Sequence, residues 1–136
     1  MHILVIDGQG GNLGRQLCRA LREAVPQAHI TAVGTNSIAT ANMLKSGADD
    51  AATGENAVIV SCRKADVITG PIGIVIADAL LGEVTPSMAL AVGQSGATRV
   101  LIPMNRCDTI IAGIGSLSTA SVLADAVEKI RALCKE

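Results

Sequence analysis

Apolar positions along this chain follow two alternating rhythms. Ile3, Leu4, Val5 and Ile6 form a short unbroken apolar run, the pattern of a strand buried on both faces. Leu13, Leu17, Cys18, Leu21 and Val25 then recur at helical spacing, with Arg15, Gln16, Arg19, Arg22 and Glu23 between them, which predicts a helix over 12–25 ended by Pro26. A second strand over 29–33 closes at Gly34, and Thr35, Asn36 and Ser37 offer capping side chains to a helix over 38–46 that stops at Gly47. Residues 48–53 suit a brief third strand. Thr53 can cap a helix over 55–64, although Ala57, Val58, Ile59 and Val60 fit a buried strand as well as a helix. A strand over 66–69 leads to Gly70 and Pro71, a helical stretch over 72–81 stops at Gly82, and Thr85-Pro86 opens a helix to about Ser95. Strands over 99–102 and 108–112 follow. An amphipathic helix over 117–133 ends the chain, with Ser116 or Ser118 at its start and Lys129, Arg131 and Lys135 near its negative dipole end.

Such alternation argues for parallel strands joined by right-handed crossovers. The expected fold is one doubly wound, Rossmann-like α/β domain over 1–136, with a mostly parallel sheet of about six strands and helices on both faces. A chain of 136 residues builds one core but has no room for a separate substrate domain.

Composition removes several classes of function. Trp, Tyr and Phe are absent, so no aromatic ring can stack a base, and 11 basic against 12 acidic residues leave a net charge of −1 without a basic patch. No nucleic-acid partner is expected. Cys18, Cys62, Cys107 and Cys134 lie far apart, without the close pairing of a zinc site, so they read as reduced thiols and no metal is expected. The most apolar stretch, 67–77, is interrupted by Gly70, Pro71 and Gly73 and falls well short of the ~20 residues that span a bilayer. Asp7 interrupts the first apolar run after a few residues, so no signal peptide is expected. A cytoplasmic protein with no membrane partner is expected, and its high aliphatic content points to a homo-oligomer.

Ligands of open α/β sheets bind at the carboxyl ends of the strands where the winding reverses. The loops there are rich in Gly, Pro and small polar residues. Gly8, Gln9, Gly10, Gly11, Asn12, Leu13 and Gly14 follow the first strand and open a helix, the arrangement that aims free amides and a positive dipole end at a phosphate. Asn36 and Ser37 stand near a ribose in this reading, and Thr35 with these two and the free amides of the helix that follows could hold a phosphate weakly. Gly70, Pro71, Ile72 and Gly73 approach the ligand closely, and Asn105 and Arg106 close the rim, Arg106 able to clamp an anion with two bonds. Asp7 stands at the mouth of the cradle and either braces loop amides or meets a phosphate through Mg²⁺. Cys107 beside Arg106 is a nucleophile candidate without a neighbouring histidine, since His2 and His29 begin strands at the opposite end. Glu55 and Glu83 are candidate acids near loop ends.

The segment VIDGQGGNLGRQL resembles the GxxGxxG fingerprint of NAD(P)-binding reductases of the dihydrodipicolinate reductase type, with Gly8, Gly11 and Gly14 on the motif positions. Over nearly its full length, through DGQGGNLG, GTNSIAT, GADDAATGENA, GPIGIVIADALLGE and IPMNRC, the chain also resembles a small bacterial family catalogued as a domain of unknown function. That resemblance implies a Rossmann-like fold and no particular activity.

Two departures from the dinucleotide pattern stand out. Gly34, Thr35 and Asn36 occupy the place where an NAD enzyme carries the acid for its ribose hydroxyls, and no Arg or Lys is there for a 2′-phosphate. Asp7 faces the presumed pyrophosphate. The expected ligand is therefore NAD(P) or another phosphate-bearing nucleotide, and the expected role is ligand binding or sensing. The alternative is a small oxidoreductase whose substrate pocket is completed by a second subunit; whether the chain is an enzyme is left open by its residues.

Overall fold

A computed structural model describes residues 1–104 and 109–135. Five parallel strands, β1 (His2–Asp7), β2 (His29–Gly34), β3 (Asp50–Thr53), β4 (Val67–Pro71) and β5 (Thr98–Ile102), form one sheet in the order β3-β2-β1-β4-β5. Five helices connect and flank them: α1 (Asn12–Ala24), α2 (Ser37–Lys45), α3 (Glu55–Lys64), α4 (Pro86–Gln94) and α5 (Thr119–Cys134). This is the doubly wound α/β fold the sequence predicts.

The apolar run places β1 at the centre. Ile3, Leu4, Val5 and Ile6 are each at most 2% exposed. Their side chains alternate between two cores: Ile3 and Val5 pack with Leu17, Leu21, Met43 and Ile130 under α1, α2 and α5, whereas Leu4 and Ile6 pack with Val58, Met88 and Val92 under α3 and α4. Without aromatic rings, both cores are built from aliphatic chains, each fully buried Leu or Ile contributing about 2 kcal/mol. Two steps outward from β1 lead to β3 and two the other way lead through β4 to β5, so the winding reverses between β1 and β4. The crevice at their carboxyl ends is where the fold leaves room for a ligand.

Two predicted elements differ. The stretch 72–81 is not a helix: a 3₁₀ turn, Ile72–Val75, gives way to a looped strap. Asp78 N–H donates to Val84 O at 2.7 Å and Val84 N–H to Ala79 O at 3.1 Å, which folds the strap back on itself. Burial of Ile74, Ala79, Leu80 and Val84 in the second core replaces the helical ladder, and Ile72, Ile74, Val75 and Ile76 are β-branched and resist helix formation. Residues 109–112 form no strand, and Asp108 lies outside the described residues, so the described residues form a sheet of five strands, close to the expected six. The ambiguous 57–60 segment is helical within α3. None of the described helices is long and apolar enough to cross a membrane.

Candidate functional site

The glycine loop lies between β1 and α1, and its shape begins with Asp7. This carboxylate is 5% exposed; its Oδ1 accepts from Gly8 N–H at 2.8 Å and its Oδ2 from Gly14 N–H at 2.7 Å. Helix α1 has Gly11 at its N-cap with φ 71° and no side-chain cap of its own, so Asp7 caps it from the preceding strand. Of the two roles the sequence leaves open for Asp7, these bonds are those of a brace. Its charge also contributes, after burial, to pushing the Cys18 thiol up to about 12.

Three of the four loop glycines are required by packing. A Cβ on Gly11 would stand 2.7 Å from Ala39 Cα in α2, one on Gly14 would stand 2.8 Å from Asp7 Cβ, and one on Gly8 would run into Thr35 Oγ1 and Leu80. Gly10 differs: nothing lies within 4 Å of its Cβ position, and it is exposed. The turn is closed by Gly11 N–H donating to Gly8 O at 2.9 Å, with Gln9 in the left-handed region at φ 51°. Asp7 takes the Gly8 and Gly14 amides and Glu83 takes that of Gln9. The amides of Gly10, Asn12 and Leu13 have no partner among the described residues, and they stand at the positive end of the α1 dipole.

Those amides border a cavity of about 240 Å³ at the β1/β4 switch point. Gly8, Gln9, Gly10, Gly11, Asn12 and Leu13 line it together with Pro71. Gln16, Leu80, Met104 and Thr119 also line it. Their participation is invisible in a single sequence because it depends on where the strap and α5 pack. Larger grooves of about 640 Å³ between α3 and α4 and about 610 Å³ between β5 and α5 do not touch the glycine loop. The smaller cavity is the one bordered by the glycine loop and the start of α1 at the switch point, which makes it the candidate ligand site.

Other expected site residues are placed elsewhere. Asn36 is the N-cap of α2, its Oδ1 accepting from Ala39 N–H at 2.9 Å, while its Nδ2 donates to Gln9 O and to Glu83 Oε1, both at 2.8 Å. Thr35 Oγ1 donates to Glu83 Oε1 at 2.6 Å, and Ser37 begins α2; none of the three lines the cavity. Gly70 lies directly over the Ile6 carbonyl, where a Cβ could not fit, and Ile72 and Gly73 belong to the 3₁₀ turn. Asn105, Arg106 and Cys107 lie outside the described residues.

Glu83 has the largest role the sequence underrated. From the strap, its Oε1 accepts from Gln9 N–H at 2.9 Å, Thr35 Oγ1 and Asn36 Nδ2, joining the ends of β1 and β2. Partial desolvation raises the pKa of this carboxyl, but the bonds from Thr35, Gln9 and Asn36 together outweigh it and hold the group below its ordinary value. The one available sign is its position as the single charged residue between Asp78 and Arg99. Burial pushes the Cys62 thiol up to about 11, so neither it nor Cys18 is poised as a thiolate. Among the described residues no cluster of three or more His, Cys, Asp or Glu could hold a metal ion.

A model of the family described as a domain of unknown function, DUF3842, matches residues 2–135. The chain belongs to that family. No curated protein matches the sequence. Among solved structures, the chain is similar to a dodecameric FMN-dependent UbiX-like decarboxylase from Escherichia coli O157:H7, at 19% identity and a TM-score of 0.56 over 96% of this chain and 94% of that one. A structure of AibC aligns at 15% identity and a TM-score of 0.49, over 96% of this chain and 38% of that one. At 19% identity, the likeness to the decarboxylase is one of fold.

Proposed function

We propose that this protein binds a small phosphate-bearing ligand of the mononucleotide class at the β1/β4 switch point, with the phosphate on the Gly10, Asn12 and Leu13 amides. The observation that carries this reading is the set of three amides that have no partner among the described residues at the start of α1, in a loop whose other amides are all engaged. An FMN-dependent protein of similar fold supports a phosphate-bearing cofactor of that size. In a flavin mononucleotide the phosphate would be held by those amides, in a cavity that Leu80 and Met104 also line. At the end of β2, Thr35 Oγ1 and Asn36 Nδ2 are both engaged by Glu83 Oε1, and no Arg or Lys stands at 34–37 to select a 2′-phosphate, so the reading names no dinucleotide.

The role proposed is ligand binding or sensing within a homo-oligomer. Ile38, Leu81, Leu90, Ile110 and Leu117, each more than half exposed, supply apolar surface for subunit contact, in keeping with the dodecameric state of the similar decarboxylase. Binding is tested by melting the protein against phosphate, FMN, AMP and NADPH. A mononucleotide should raise Tm by mass action, and Gly10→Glu, which puts a carboxylate on the cradle at a position open to a side chain, should abolish the rise. Melting that is unchanged by phosphate and every mononucleotide would overturn the reading.

A further inference from the structure

The strap between β4 and α4 is held in an unusual conformation. Asp78, Leu80 and Leu81 have φ of 68°, 57° and 56°, left-handed values that bulky side chains rarely adopt, and Gly82 follows at 89°. Ala79 and Val84 hold its ends in the second core, and two further anchors tie its tip to the crevice. Leu80 is 8% exposed and presses over Gly8, and Glu83 inserts its carboxylate among Gln9 N–H, Thr35 O–H and Asn36 Nδ2–H, whereas Leu81 between them is 94% exposed. The three groups facing Glu83 Oε1 all donate. They come from the glycine loop, the end of β2 and the cap of α2, so they form a receptor for anionic oxygen that the fold assembles from separate elements.

We propose that the strap is an autoinhibitory latch: Glu83 occupies a second anion site at the β1/β2 end of the crevice as an internal ligand, and a phosphomonoester enters that site only when the carboxylate leaves. A phosphate offers the same donors several acceptor oxygens and more charge than the carboxylate. Swinging the strap also releases Leu80 from the wall of the β1/β4 cavity, so opening one half of the crevice widens the other. The proposal rests on the phosphate reading of the Gly10, Asn12 and Leu13 amides for its ligand class, while the latch itself is read from different atoms.

Inorganic phosphate titrated into ¹⁵N-labelled full-length protein separates the two. In the wild type, the Gly10, Asn12 and Leu13 amides should shift while the Gln9 amide and the Asn36 side-chain amide do not. In Glu83→Ala all five should shift, and hydrogen exchange at Gln9 should accelerate at least ten-fold. Glu83→Gln, which keeps the size and one acceptor but loses the charge, should show the same pattern more weakly and serves if the alanine variant does not fold. Gln9 and Asn36 resonances that ignore phosphate in a folded Glu83 variant, or respond equally in the wild type, would overturn the latch. Silence at Gly10, Asn12 and Leu13 in every form would instead count against the function proposed above.

Discussion

Asp7 caps a helix that begins five residues after it: its Oδ2 accepts the Gly14 amide at 2.7 Å across the glycine loop, while its Oδ1 accepts Gly8 at 2.8 Å. The chain thereby fixes the loop without drawing on the amides of Gly10, Asn12 and Leu13. Asp7→Ala leaves two amides of a buried loop unpaired and should cost about 3 kcal/mol of stability, read from urea unfolding. Asp7→Asn keeps one acceptor but turns an NH₂ donor toward an amide, so it should rescue only part of the loss. A stability change under ~0.5 kcal/mol in Asp7→Ala would contradict the brace.

Gly10 and Gly11 are neighbours with opposite constraints. At Gly11 a side chain meets the α2 backbone at 2.7 Å and φ is 71°, whereas at Gly10 the space is open. Gly11→Val should destabilise the fold by more than ~2 kcal/mol. Gly10→Ala should change stability by less than ~1 kcal/mol. Thermal melts of the two variants without ligand make the comparison, and equal losses would mean that the loop is not packed against α2 as described.

Thr69 is fully buried in β4, and its Oγ1 has no partner among the described residues. Replacing a hydroxyl that makes no bond with a methyl of the same shape relieves its desolvation, so Thr69→Val should stabilise the fold by about 1 kcal/mol. Urea unfolding measures it directly. A loss of stability would reveal that the hydroxyl is bonded in solution.

Acid should loosen the loops before it unfolds the sheet. The amide of Ile30, with Arg22, holds Asp49 below the ordinary carboxylate range, the hydroxyl of Thr31 does the same for Asp50, and Glu83 is lowered by its own three donors. Groups whose folded pKa is depressed contribute stability above their unfolded value, near ~4, and lose it as pH falls through the folded value. The urea midpoint should therefore fall between about pH 5 and about pH 3, and fall less in Asp49→Asn. These carboxylates are partly exposed, so the effect of each is modest and shrinks in salt. An identical pH profile in the Asp49 variant would exclude that contribution.

The sequence by itself determined the alternation of elements, the central place of β1 and the position of the glycine loop, because each follows from local periodicity or from residues a few positions apart. Ile3–Ile6, bounded at once by a glycine-rich loop, reads as a strand buried on both faces, and Leu13, Leu17 and Leu21 recur on one face of a helix. What the loop does with its amides was decided by tertiary structure. Asp7 and Glu83 can each be read as a pocket acid or as a brace, and the choice depends on donors brought in by other elements: Gly14 across the loop for one, Gln9, Thr35 and Asn36 for the other. The strap shows the same division. Residues 72–81 carry an apolar pattern that can be read as a helix, but their β-branched side chains give that helix little local support, and burying Leu80 over Gly8 and bringing Glu83 to the ends of β1 and β2 require a folded-back chain.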